Sequence, residues 1–142
     1  MAAPRQIVLP NACRGQILAQ ARETAPLECC GLLIGAGTDV IVIDEVEQVG
    51  NVAAQPERRF EIDPQIQFDL LRRLRGSGRR VVGHYHSHPG GRQAPSATDL
   101  AMAHDPEAIW LIVVPEGEGT IACYISPDQK TGFVPVSISA PP

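Results

Sequence analysis

The stretch from Val82 to Asp99 reads VGHYHSHPGGRQAPSATD and places His84, His86 and His88 at a period of two, in a chain with 4 histidines in all. On an extended strand all three side chains project from one face, about 6–7 Å apart between neighbours. Two imidazoles at that spacing chelate one metal ion. Spacing alone allows His84 with His86 as well as His86 with His88. Residues 89–98 form a loop long enough to fold back and bring the Asp99 carboxylate to the same ion. Two histidines and a carboxylate are a familiar catalytic zinc set, with the fourth tetrahedral position left to water. Zinc brings the pKa of that water from about 16 towards about 7. A lone histidine on a strand is usually packed or at the surface, but three in this register are hard to assign to chance. Tyr85 and Ser87 alternate with them and are expected to pack on the opposite face. Gly83, Gly90 and Gly91 either shape turns or let a substrate backbone approach. Ser96 and Asp99, as S-x-x-D, also read as a helix start resembling a capping box.

Such a site needs a general base to take the proton of water and deliver it to a leaving amine. Glu28 is the best candidate. It stands between Leu27 and Cys29 at the mouth of an apolar run, where partial desolvation would raise its pKa. The pattern by itself does not select it over Glu23 or Glu45.

The elements that must hold these groups follow from periodicity and turn chemistry. Ile7–Leu9 is a short strand, and Pro10 and Asn11 open a helix carrying Ile17, Leu18 and Ala21, ended by Pro26. Cys29–Gly35 is a continuous apolar strand, and Val40–Val49 a β-branched one with a wet face in its second half. Residues 50–59 are a loop, and Phe60–Ile62 a short strand. Asp63 caps the next helix with Pro64 at its first position; Ile66, Leu70, Leu71 and Leu74 give it an apolar face, and Gly76 and Gly78 end it. Val81–His88 is the histidine strand, stopped by Pro89. Ser96–His104 is a short helix, and Ile109–Val114, Ile121–Ile125 and Phe133–Val136 are three further strands; the Pro141–Pro142 tail carries no signal. A mixed sheet with helices packed against it follows.

A chain of 142 residues is long enough for one domain, 1–142, with a real core, so a metal here serves chemistry rather than the fold. The charge, 12 − 16 = −4, argues against general nucleic-acid binding. Arg72, Arg73, Arg75, Arg79 and Arg80 form a local basic patch, read first as a solvated helix face and second as a docking surface for an acidic partner. Cys13, Cys29, Cys30 and Cys123 contain no C-x-x-C pair, so each reads as a small buried hydrophobe. No export signal stands at Met1–Pro10 and no run reaches membrane-spanning length, so no membrane partner and a reducing, cytoplasmic setting are expected.

Taken together, Glu28, then His86-Ser87-His88-Pro89, then Ser96-Ala97-Thr98-Asp99 resemble the signature of the JAMM (MPN-plus) zinc metallopeptidases: a distant Glu, H-[ST]-H-P and S-x-x-D. ECCGLLIG is similar to that family's glutamate strand, and Asn51 through Phe60-Glu61-Ile62-Asp63-Pro64 is similar to its short bacterial stand-alone branch. The resemblance implies an α+β (mixed α/β) domain, a curved mixed β-sheet flanked by helices, cytidine-deaminase-like. It implies His86, His88 and Asp99 as ligands of one zinc ion, Glu28 as the catalytic acid/base, and the Ser96 hydroxyl as support for the oxyanion. Substrates would be a ubiquitin-like or sulfur-carrier protein ending in Gly-Gly, cut after the terminal glycine, with release of cysteine in the sulfur-carrier case; a homodimer is left open. Many relatives carry an aromatic residue where this chain has His84. A non-catalytic MPN-type binding module would usually lack some of these ligands. A zinc deaminase would show H-x-E…P-C-x-x-C, which is absent. A zinc hydrolase of small peptides or amides remains compatible with the sequence.

Overall fold

Strands covered on both faces read as uninterrupted apolar runs, and two such runs frame the histidine strand. In the computed structural model, which describes residues 4–141, the element order is β1 (Gln6–Val8), α1 (Asn11–Thr24), β2 (Cys30–Ala36), β3 (Val40–Val49), α2 (Pro64–Leu74), β4 (Arg80–Ser87), α3 (Ala97–Ala101), β5 (Ile109–Val114), β6 (Thr120–Ile125) and β7 (Val134–Ser139). Residues 1–3 and 142 lie outside the described residues. They include the ends of the domain expected over 1–142, the start of the stretch read for an export signal, and the last residue of the tail.

β2 has both faces covered. Leu33 joins the main core with Ile7, Ile17, Ile43, Tyr85, Ile109, Leu111 and Val113, whereas Leu32 and Ile34 pack with Leu70 and Leu74 of α2. β5 likewise sends Ile109, Leu111 and Val113 into the main core, while Trp110 and Ile112 face the other way and are equally buried. α1 lays Cys13, Ile17, Leu18 and Ala21 on the sheet. α2 starts as its sequence demands, with the Asp63 carboxylate accepting from the Gln65 amide at 3.0 Å and Pro64 in the first turn. Burying Leu70 and Leu74 contributes roughly 1.5–3 kcal/mol each.

The sheet is mixed. β2 runs antiparallel to β3 and β4, β4 parallel to β5, and β5–β6–β7 antiparallel in succession. The curved sheet closes on itself, because β1 pairs in parallel with both β3 and β7 and leaves the order β1-β3-β2-β4-β5-β6-β7 without a free edge. Close approach between β4 and β5 requires Gly83, where a Cβ would stand 2.0 Å from the Ile109 carbonyl oxygen. The domain is α+β, a seven-strand mixed sheet with three helices among the described residues. Among the described residues no helix is long and apolar enough to cross a membrane.

Three expectations need correction. Phe60–Ile62 is not a strand: the Asn51 side chain takes up the Arg59 carbonyl and the Glu61 amide, which a ladder would need. Leu71 is 57% exposed, since i, i+4 spacing aligns Ile66, Leu70 and Leu74 and turns Leu71 outward. The helix expected over Ser96–His104 stops at Ala101; Gln129 Nε2 donates to the Leu100 and Ala103 carbonyls at 3.0 and 2.6 Å, and Pro106 disfavours helix at Asp105.

The basic patch is offset in part by β3 and the turn before it. Arg73 pairs with Glu45, Arg79 with Asp44 and Glu45, and Arg80 donates to the Gly37 carbonyl. The four cysteines are free and buried, and burial pushes the Cys30 and Cys123 thiols up to about 12, as inert packing groups.

Candidate active site

β4 carries the histidines past its own end. His84 and His86 lie on one face, and Tyr85 and Ser87 on the other, both fully buried. The register sets His86 beside Cys30 of β2 and Ile112 of β5. Because β2 is antiparallel to β4, the residues just before β2 lie beside those just after β4. The pairing continues beyond the ladder through the Ser87 amide to the Cys29 carbonyl (3.1 Å) and the Cys29 amide to Ser87 Oγ (2.8 Å). This brings Glu28 to His88, and the carboxylate of Glu28 and the rings of His86 and His88 offer atoms within 4.8 Å of one another.

His88 sits just beyond the strand. Its amide donates to the Val113 carbonyl at 2.8 Å, and its Nδ1 lies 2.9 Å from the Arg92 carbonyl. A carbonyl only accepts, so Nδ1 carries hydrogen and, in the neutral ring, Nε2 keeps its lone pair. That Nε2 lies 2.9 Å from His86 Nε2. The loop from Pro89 reverses through Gly90 and Gly91, both at positive φ (105° and 87°), and enters α3 at Ser96. There the capping box is real. Ser96 Oγ accepts from the Asp99 amide at 3.0 Å, and the Ser96 amide donates to Asp99 Oδ2 at 2.8 Å. The Ser96 hydroxyl proton is left over by these bonds. Fixed in this way, Asp99 presents Oδ1 at 3.2 Å from His86 Nε2 and Oδ2 at 3.1 Å from His88 Nε2.

The electrostatics match the packing. Burial pushes the Glu28 carboxyl up to about 7, partly opposed by His88, and its Oε1 is buried without a hydrogen-bond partner. Burial also pushes Asp99 up, but hydrogen bonds from His86 and His88 outweigh it and hold the carboxyl well below the usual range. Burial lowers His86. For His88, burial is overcome by its bonds to Asp99 and the Arg92 carbonyl, and its pKa is raised. Two imidazole nitrogens 2.9 Å apart, both against one carboxylate, repel through their lone pairs unless a cation or proton sits among them. Donor atoms around a tetrahedral ion with bonds of ~2.0–2.1 Å are about 3.3 Å apart, so separations of 2.9, 3.1 and 3.2 Å fit a small divalent ion.

Of the two pairings that spacing allows, the fold brings together His86 and His88. The His84 ring stands edge-on to Trp110 at 4.2 Å and 5.3 Å from Phe60, its Nδ1 has no partner, and burial lowers its pKa to about 3. It is a neutral packed ring outside the convergent group. Of the alternative bases, Glu45 is engaged by Arg73 and Arg79, and Glu23 is exposed on α1. Sequence reasoning missed three participants. Phe60 stacks on His86 (4.3 Å, 18°), the Arg92 carbonyl orients His88, and Asn51 bonds the Glu28 carbonyl at 2.9 Å. Asn51 and Phe60 fell within the stretch resembling the bacterial branch, but no local pattern assigns them a role.

Residues 10–125 match the family described as prokaryotic homologs of the JAB domain. A desampylase of Haloferax volcanii is 40% identical over 111 residues, covering 75% of this chain and 79% of that protein. The 26S proteasome non-ATPase regulatory subunit 14 of Drosophila melanogaster is 30% identical over 132 residues, covering 88% of this chain but 39% of that one. A solution structure of a Desulfitobacterium hafniense protein superposes with a TM-score of 0.84 at 30% identity, covering 95% of this chain and 92% of that chain. With a buried Glu–His–His group at the end of β4 and a family match across most of its length, the chain belongs to the prokaryotic homologs of the JAB domain and is a JAMM-type metallopeptidase.

Proposed function

We propose that the protein is a zinc isopeptidase that hydrolyses the bond after the C-terminal glycine of a ubiquitin-like carrier protein. The carrying observation is the convergence of His86 Nε2, His88 Nε2 and the Asp99 carboxylate at 2.9–3.2 Å beside a buried, unpaired Glu28 oxygen. His86, His88 and Asp99 would hold the ion. Bound there, zinc supplies Lewis acidity, polarising the scissile carbonyl and easing deprotonation of water.

The chain's own groups do the rest. Glu28, poised by burial at about 7, takes the proton of the attacking water and delivers it to the leaving amine. The Ser96 hydroxyl, free to donate, is assigned to the oxyanion that forms on the attacked carbonyl. The Arg92 carbonyl and the Ser96 amide hold His88 and Asp99 in orientation, so neither must reorganise during the reaction.

Support for a protein tail as substrate comes from the groove beside the site. It has a volume of ≈ 470 Å³, is lined by Ala54, Gln55, Phe60 and Met102 among others, and lies between the 50–63 segment and the end of α3. Phe60 joins it to His86. Relatives named desampylases favour an isopeptide; cysteine release from a sulfur carrier ending in Gly-Gly is the finer form of the same chemistry. Intact-mass analysis of two carriers tests both, one extended beyond Gly-Gly by cysteine and one joined there to a lysine side chain. Loss of either extension, stopped by a chelator and by Glu28→Gln, is expected. Cleavage that persists in the Glu28→Gln enzyme would defeat the assignment.

A further inference from the structure

Residues 50–63, between β3 and α2, contain no helix or strand, and most of them are exposed. So exposed a segment has little burial to hold it. The Asn51 side chain, together with a bond from the Val52 amide to the Glu61 carbonyl at 3.0 Å, ties it down instead. Asn51 Oδ1 accepts from the amides of Ala53 and Glu61, both at 3.0 Å. Its Nδ2 donates to the carbonyls of Arg59, at 3.0 Å, and Glu28, at 2.9 Å. These four bonds use the whole capacity of an amide side chain. The segment grips Glu28 a second time, because the Glu28 amide donates to the Pro56 carbonyl at 2.7 Å. Both main-chain groups of Glu28 are therefore bonded to the segment and neither to a strand. Phe60, adjacent to the Arg59 carbonyl that Asn51 binds, lies flat on His86.

The Glu28 carboxylate has no partner at Oε1 to aim it. Its direction must come from its backbone. The geometry points to Asn51 as a positioning residue for the acid/base: it fixes the main chain of Glu28 and seats Phe60 on His86 through one set of hydrogen bonds. The inference rests on the acid/base role proposed above for Glu28. A residue that merely folded an exposed loop would not need a donor on Glu28; of the two Nδ2 bonds, the one to Arg59 holds the loop and the one to Glu28 reaches the site. Aspartate retains the acceptor for Ala53 and Glu61 but, ionised, sets a negative oxygen against the Glu28 and Arg59 carbonyls. Alanine removes both ends.

The test compares wild type, Asn51→Asp and Asn51→Ala by amide hydrogen exchange, metal content, near-UV circular dichroism and steady-state kinetics on a cleavable carrier. Trp110 is the chain's only tryptophan and lies 6.1 Å from Phe60, so its near-UV signal reports the seating of Phe60. In Asn51→Asp the amides of Ala53 and Glu61 stay protected, while loss of the bond to the Glu28 carbonyl loosens Glu28 against the segment and its amide, bonded to the Pro56 carbonyl, exchanges faster. The Trp110 signal changes, metal content holds, and kcat falls about 10- to 100-fold with KM within about threefold, as misplacement by an ångström predicts. Asn51→Ala exposes all three amides; should it fail to fold, the aspartate variant carries the test alone. Wild-type kcat in Asn51→Asp, or a loss confined to KM, would overturn the assignment and leave Asn51 as a loop anchor or a wall of the groove. If Glu28→Gln retains turnover, the acid/base reading fails instead, and exchange at the Glu28 amide still decides whether the clamp exists.

Discussion

Replacing Glu28 by glutamine should stabilise the metal-free protein at alkaline pH while removing its activity. The carboxyl moves from an ordinary value of 4.5 to about 7 on folding, with burial as the main cause. A raised carboxyl pKa means that the folded state binds its proton more tightly than the unfolded chain. No stability is lost on this account below about pH 4.5. The loss accrues as pH rises and is complete above about 7. At 1.36 kcal/mol per tenfold change in acidity, the full shift corresponds to about 3 kcal/mol. Water reaching the carboxylate screens it, so about 1–2 kcal/mol is the expected size. Glutamine keeps the shape and has nothing to ionise. The assay is urea unfolding of chelator-treated wild type and Glu28→Gln at pH 5 and pH 8. The two should differ little at pH 5, and the variant should gain about 1–2 kcal/mol on the wild type by pH 8. Turnover of the metal-loaded variant should fall by about 10²–10⁴-fold. A stability difference independent of pH would refute the claim that Glu28 is desolvated. Unchanged turnover would refute its catalytic role.

His88→Ala should abolish carrier cleavage and leave less than one metal ion per chain by elemental analysis; a full complement would remove His88 from the ligand set. Metal affinity should weaken as pH falls, because Asp99 and the Arg92 carbonyl raise the His88 pKa and the ion must displace that proton. Titration calorimetry in buffers of different ionisation enthalpy should show proton release on binding, and none would contradict this. Gly83→Ala should lower stability by about 1–3 kcal/mol or more, since a Cβ would stand 2.0 Å from the Ile109 carbonyl oxygen on an adjacent strand. An unchanged thermal midpoint would mean that β4 and β5 are not so closely apposed.

What the sequence determined by itself was local. A strand's pleat puts every second residue on one face, so the common face of His84 and His86, and the burial of Tyr85 and Ser87 opposite, were legible from spacing alone. β3 and β5 run over the residues expected, because β-branched and apolar runs carry their own preference for the strand. The start of α2 was written in Asp63-Pro64. Phe60–Ile62 shows where this reach ends. The segment looked like a strand, but a side chain nine residues upstream, Asn51, claims its backbone groups.

Tertiary structure alone decided which groups converge. Spacing allowed His84 with His86 as readily as His86 with His88. The choice falls to Trp110 and Phe60, which wall in His84, and to the Arg92 carbonyl, which turns His88 towards its neighbour. Local pattern left Glu28 level with Glu23 and Glu45. The antiparallel register that pairs Cys30 with His86 carries Glu28 to the site, while Arg73 and Arg79 hold Glu45 on the far side of a salt-bridge cluster. The physical reason is one of range. Backbone preferences and pleat extend over a few residues, whereas a metal and its base need atoms set within a few ångströms by strand register and loop closure between segments distant in the chain.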